Sequence, residues 1–254
     1  MKGFAMTQLP MLLLLLLLAA SSWAKDVPSN LQAFYDTVRN ADGPCGADAL
    51  LAEGFHAHDD GDEGWGYCQH TSGHGQAIYL KGPGHQLADM DIDCDGDQSR
   101  PDPRCQGSGD TQGATAWQQQ LQRQANITDL NASVHPYVVL GNEGSVDFDP
   151  RVYGIYPLSV VAVVCGGQLF YGIWGDINGD DNGQPLVGEA SLALATLCFG
   201  PGMNANSGHE AADVLYIAFS GPHAVPQHAR WRAHTTEAFE ASISGLGDAL
   251  VAGL

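Results

Sequence analysis

The chain has 254 residues, and its 29 acidic side chains outnumber 10 basic ones to give a formal net charge of −19. That balance disfavours nucleic acid and anionic membrane surfaces as partners, because phosphate contacts are made by Lys and Arg. Two readings remain: solubility or adaptation to salt, and long-range attraction of a polycationic partner.

The first residues read as a targeting segment. Lys2 supplies a positive start, residues 11–20 are almost pure Leu and Ala, and Ser22-Trp23-Ala24 fits a small-x-small cleavage pattern. The apolar run is too short to span a bilayer. Residues 1–24 are therefore predicted to be a secretory signal peptide, and residues 25–254 one domain that is secreted, extracellular and monomeric. About 230 residues suffice for a sizeable core. An even set of cysteines in an exported chain favours disulfides over metal ligation. Sequence order pairs Cys45 with Cys68, Cys94 with Cys105 and Cys165 with Cys198, one of the 15 pairings that six cysteines allow. Asn126 and Asn131 begin glycosylation sequons, which fit export from a eukaryotic host.

Ser29 and Gln32 form a capping-box pattern, followed by Leu31, Phe34, Tyr35 and Val38 on one face, which predicts a helix over 30–40. Residues 42–110 are rich in Gly and Asp, with β-prone pieces such as 76–80, and read as strands and loops. A helix is expected over 114–124 and a buried strand over 135–140. Residues 158–165 and 168–174 flank Gly166-Gly167 and predict a tight hairpin. Asp176 then falls just beyond the second strand. Glu189 falls in the first turn of a helix over 189–198, which Gly200 and Pro201 end. A strand over 213–219 and a helix over 237–250 complete the chain. The pattern is α+β: an antiparallel or mixed β-sheet core with peripheral helices and three disulfides. Such a sheet can close into a barrel, a double-psi-like one.

Two Asp-rich loops invite comparison with calcium sites. Asp91, Asp93 and Asp95 alternate before Gly96, and Asp102 falls at the twelfth position, where Glu is usual. This loop reads as a calcium site, a structural turn or part of a cation-attracting groove. The loop from Asp176 fails the pattern at Asp181 and Val187. Its alternative reading is a carboxylate pair, Asp176 and Glu189, at the two mouths of one loop, since glycoside hydrolysis needs two carboxyl groups flanking the scissile bond. The ten histidines include His56, His58, His70, His74, His85, His135, His209 and His223. Metal binding is conceivable for His56 and His58, whose spacing suits two neighbours on one strand face, but no zinc signature accompanies them. No G-x-S-x-G elbow supports a serine nucleophile. No cofactor and no metal are expected.

Several runs together resemble the fungal-type chitosanases of glycoside hydrolase family 75. They are DMDIDCDG (89–96), HPYVVLGNE (135–143), PLSVVAVVCGGQLFYGIWGD (157–176), GEASLALATLCF (188–199), DVLYIAF (213–219) and GDALVAGL (247–254). The resemblance implies an endo-acting, inverting hydrolase of β-1,4 bonds in chitosan, with an essential Asp at Asp176 and an essential Glu at Glu189. It assigns Asp176 as general base and Glu189 as proton donor. The expected first helical turn opposes that assignment, because a helix N-terminus favours the charged carboxylate. Chitosan is a polycation, so further carboxylates are needed for its amines. The candidates are Asp89, Asp91, Asp93, Glu143 and Asp180. Tyr171 and Trp174 are candidate sugar-stacking surfaces, although strand aromatics more often belong to a core. The acidic loop 177–187 and the Asp/His-rich segment 56–64 depart from the family pattern and bear on groove width and subsite preference. The alternatives are a calcium-assisted carbohydrate-binding protein and a hydrolase of another amino-sugar polymer.

Overall fold

The computed structural model describes residues 24–254 except 44, 58–62, 74, 110 and 182. The expected signal peptide, His58 and His74 lie outside the described residues, or, for the leader, all but Ala24 does. Among the described residues no helix is long and apolar enough to cross a membrane.

The elements in chain order begin with helix α1 (Ser29–Asn40), strands β1 (Leu50–His56), β2 (Glu63–Ser72), β3 (Gly75–Lys81) and β4 (Ala88–Asp93), and helix α2 (Gln118–Gln124). Strands β5 (Tyr137–Asn142), β6 (Val160–Cys165), β7 (Gln168–Asn178), β8 (Asp180–Asp181), β9 (Gln184–Pro185) and β10 (Glu189–Ser191) follow. Helix α3 (Leu192–Phe199), strand β11 (His209–Phe219) and helix α4 (Thr236–Val251) end the chain.

Strands β1, β2 and β3 form an antiparallel meander, and β3 continues onto β11. The long β11 also pairs with β4 and β6. From β4 the pairings run through β10, β5, β7 and β6 and return to β11, so six strands form a ring. Most pairs are antiparallel, but β4–β10 and β5–β7 are parallel, so the sheet is mixed as expected. The β6–β7 hairpin turns at Gly166 and Gly167, with φ of 56° and 74°. Both angles lie in the region that only glycine enters freely, which is why Gly-Gly closes this hairpin. Strands β5 and β6 are buried along their whole length, as the apolar runs YVVL and VVAVVC require. Helix α4 packs on β6 and β7 through Phe239 and Ile243, and α3 packs on β7.

All three expected disulfides are present. Cys45–Cys68 ties the lead-in of β1 to β2, Cys94–Cys105 follows the end of β4, and Cys165–Cys198 joins β6 to α3.

Four boundaries differ from the sequence reading, each for a local reason. Ser29 is the first residue of α1, not its cap. Pro28 precedes it in an extended conformation, and the Gln32 amide bonds Asp36 instead of closing a capping box. Helix α2 starts only at Gln118, because residues 115–117 form a turn in which the Gln118 N–H donates to the Thr115 carbonyl. Strand β7 continues past Trp174 to Asn178, since its parallel partner β5 runs on to Asn142. Asp176 is therefore inside a strand. Glu189 is also in a strand, β10, because the free edge of β4 captures residues 189–191. The helix waits for Ser191, whose Oγ accepts the Leu194 N–H at 3.2 Å as an N-cap.

Candidate active site

Asp176 and Glu189 lie in one row across the sheet. On β5 and β7 Val139 is opposite Asp176, and antiparallel pairing of Ala190 with Val138 sets Glu189 opposite Val139. Parallel pairing then sets Asp91 beside Glu189. The pairing row is thus Asp176, Val139, Glu189, Asp91, with the β5–β7 register irregular on either side of Val139. Asp176 and Glu189 are on the two strands, β7 and β10, that pair with opposite edges of β5.

Asp176 is 5% exposed. Its Oδ1 accepts the amide N–H groups of Ala116 and Ile177, each at 2.8 Å. Its Oδ2 is buried and has no hydrogen-bond partner among the described residues. Carboxylate oxygens of Asp93, Asp95 and Asp176 all lie within 4.8 Å of one another. Burial first, and then the charge of Asp93, push the Asp176 carboxyl up to about 8, so it holds its proton at neutral pH. Asp93 also accepts a hydrogen bond from the Asp95 N–H at 2.7 Å. The Tyr137 hydroxyl donates to the Asp95 carbonyl, and burial together with the surrounding carboxylates keeps that phenol protonated.

Glu189 is half-buried at the start of β10. Its charge reaches the phenols of Tyr67 and Tyr216. The Tyr216 hydroxyl donates to the carbonyl of Asp89 at 2.9 Å, and the residue before Glu189 is Gly188 at φ 100°. A side chain at Gly188 would strike the Asp89 carboxylate as well as strain the backbone. Glycine here lets β10 approach β4 closely enough to pair.

A family model described as fungal chitosanase of glycosyl hydrolase group 75 matches residues 90–253. The chain belongs to that family. It is 46% identical over 248 residues to an endo-chitosanase of Aspergillus oryzae, covering 93% of this chain and 95% of the relative. An endo-chitosanase B of Aspergillus oryzae is 42% identical over 244 residues with the same coverages, and an endo-chitosanase of Aspergillus fumigatus is 42% identical over 242 residues, again with 93% and 95% covered. The protein is a glycoside hydrolase.

The other expected site residues of this family 75 hydrolase scatter. Asp91 and Asp93 are half-buried on β4 near the carboxylate row. Asp89 is fully buried, and its carboxyl is pushed up to about 9, first by burial and then by Asp91. It belongs to the interior beneath the row, not to a surface that a polymer can touch. Glu143 is exposed just past β5 and lines a cleft of about 560 Å³ with Asp147, Arg151 and Ile177, the residue after Asp176. The Asp180 carboxylate accepts the Ser145 N–H at 2.6 Å and so fixes one loop against another.

Tyr171 and Trp174 are corrected to core residues: both are fully buried. The Tyr171 hydroxyl donates to Asp248 at 2.9 Å. The Trp174 indole N–H donates to the carbonyls of Leu140 and Asp176, and its ring packs edge-on to Trp117. Neither offers a face to a sugar.

The twelve-residue pattern from Asp91 is not realised as one ligand set. Asp102 is held by Arg104 through its Nε and Nη2, and Asp97 Oδ1 accepts the Ser99 N–H. Among the described residues the carboxylates that converge are those of Asp93, Asp95 and Asp176, a group whose spacing suits a cation. Their three acceptors match the three N–H donors of one ammonium group. Two of the histidines serve structure. His135 is buried between the Asn131 N–H and the Trp231 carbonyl and is pushed down to about 4, first by burial, so it stays neutral. His209 stacks on Phe199 and bonds Asp213.

Asp95 was expected only as part of the Asp-rich loop, not among the individual substrate-binding residues, and Tyr137 only as part of a buried strand. The signal was available in part. Side chains of a strand alternate between faces, so Asp91 and Asp93 share one, and continuing the period reaches Asp95.

Proposed function

We propose that this protein is a secreted, monomeric endo-chitosanase that hydrolyses β-1,4 bonds between glucosamine units with inversion, using Asp176 as general base and Glu189 as proton donor. The observation that carries the reading is the carboxylate row. Two carboxyl groups on β7 and β10, the strands that flank β5, supply the acid and the base that an inverting glycosidase needs. In the reaction Glu189 protonates the glycosidic oxygen as the bond to the anomeric carbon breaks. Asp176 takes a proton from the water that attacks the opposite face of that carbon. The helix-terminus objection to an acidic Glu189 disappears, because Glu189 is in a strand beside Asp91.

The relatives' endo-chitosanase names support chitosan as the substrate, and so does the net charge of −19, which attracts a polycation. Three disulfides fit an oxidising compartment. We read the ring of six strands as a closed barrel, double-psi-like in its connections.

The test is hydrolysis of fully deacetylated chitosan, followed by viscosity and by proton NMR of the first products. The reading predicts a rapid viscosity fall and new reducing ends that appear first as α-anomers. A slow fall with monomer release, or β-anomers first, contradicts it.

A further inference from the structure

Asp176 carries a difficulty for a base. A carboxyl that is protonated in the resting enzyme cannot accept a proton from water. Its surroundings suggest how the proton is removed. The charged neighbours acting on Asp176 are both carboxylates, Asp93 at the end of β4 and Asp95 just after it. From β5 it faces the Tyr137 phenol, and from the loop before α2 and from β7 it meets only the uncharged amides of Ala116 and Ile177. Asp176 is 5% exposed, its Oδ2 is buried with no hydrogen-bond partner among the described residues, and one of its oxygens lies within 4.8 Å of carboxylate oxygens of Asp93 and Asp95. Asp93 is the half-buried member that a ligand can reach.

Resting on the assignment of Asp176 as base, we propose that the ammonium group of one glucosamine unit docks on Asp93 and Asp95 and thereby expels the proton from Asp176, so that the substrate's own charge prepares the base. The trio would then be the specificity-determining element of that subsite. An N-acetylated unit brings a neutral amide, leaves Asp176 protonated, and is not processed there.

Charge and protons balance through the cycle. Docking of the ammonium releases one proton to solvent. During hydrolysis the Glu189 proton goes to the leaving oxygen and a proton of the attacking water goes to Asp176. Glu189 then recovers a proton from solvent, and departure of the product restores the resting trio with Asp176 protonated. The net change is one water consumed. The electrostatic logic is that of paired carboxylates: like charges hold a shared proton, and an adjacent cation releases it.

The test is calorimetric. The Glu189→Gln protein binds a fully deacetylated glucosamine oligomer at about pH 5.5, where its amines are protonated, in buffers of different ionisation enthalpy. The expected result is release of about one proton per oligomer. The double variants Asp93→Asn/Glu189→Gln and Asp176→Asn/Glu189→Gln release markedly less, and a fully acetylated oligomer releases none. Equal proton release from all three proteins, or none from any, overturns the proposal.

A second readout covers a variant that folds poorly. In otherwise active protein, Asp93→Asn lowers discrimination against acetylated units at one subsite roughly tenfold, the effect of one pKa unit. Sequencing of products from partly acetylated chitosan measures it, and unchanged discrimination counts against the proposal. The two failures separate cleanly. If Asp176→Asn hydrolyses chitosan normally, the base assignment is wrong. If Asp176→Asn is inactive but no proton is released on binding, the base stands and its preparation by substrate does not.

Discussion

Asp176 and Glu189 flank Val139 in one row across three strands of a mixed sheet, a relationship that no spacing along the chain reveals. They are brought together by pairing of β10 and β7 onto opposite edges of β5, not by the loop between them. The loop forms a small hairpin of its own, β8 and β9.

Trp174 separates a stacking surface from a core residue. Its indole N–H serves two buried carbonyls, and one of them belongs to Asp176. Trp174→Phe removes this shared donor from both carbonyls and should cost about 1–3 kcal/mol in a denaturant titration. KM for chitosan oligomers should stay within about twofold of wild type, while kcat falls because Asp176 loses its anchor. A large rise in KM with unchanged stability would return Trp174 to the substrate groove.

Glu240 is 2% exposed on the buried face of α4, and burial pushes its carboxyl up to about 7 from 4.5, with Lys25 opposing. The sign follows from linkage. Below the unfolded value both states are protonated and stability is complete. As pH rises from there toward the folded value, the unfolded chain ionises first and stability is lost. Glu240→Gln removes this loss, so the variant should melt higher than wild type at pH 8 by an amount worth about 2–3 kcal/mol. The two proteins should converge near pH 4. A gain that is constant with pH would mean that packing, not ionisation, sets the difference.

Chelators should leave chitosan hydrolysis unchanged. The twelfth carboxylate of the calcium-like loop is occupied by Arg104, and the reaction proposed needs only the two carboxyls Asp176 and Glu189. Activity that falls in EDTA and returns with added calcium would reverse this conclusion and favour a metal-assisted carbohydrate site.

Much of the fold was legible in the sequence because it rests on short-range patterns. The Gly166-Gly167 hairpin, the apolar face of α4 and the three disulfides follow from turn chemistry, helical period and cysteine order. What was not legible depends on long-range pairing. The run EASLALATLC has helical composition throughout, yet its first three residues join β4, because a sheet edge outweighs weak helix propensity. Tyr171 and Trp174 look alike whether a strand is covered on one face or two, and only the packing of α3 and α4 on β7 decides. Asp176 and Glu189 were found as residues, but their common row and the trio with Asp93 and Asp95 required the pairing partners of β5 and β7.

Exchange of the two carboxyls for their amides tests Asp176 and Glu189 as the acid–base pair. Asp176→Asn and Glu189→Gln are compared with wild type for new reducing ends from fully deacetylated chitosan, with thermal melting recorded on the same samples. Each variant should lose activity by roughly 10²–10⁴-fold, the usual scale of acid–base catalysis. Both should stay folded. Asp176→Asn should melt higher than wild type at neutral pH, because the carboxyl it removes is buried and raised to about 8, so folding no longer opposes its ionisation. Near-normal hydrolysis by either folded variant would contradict the account.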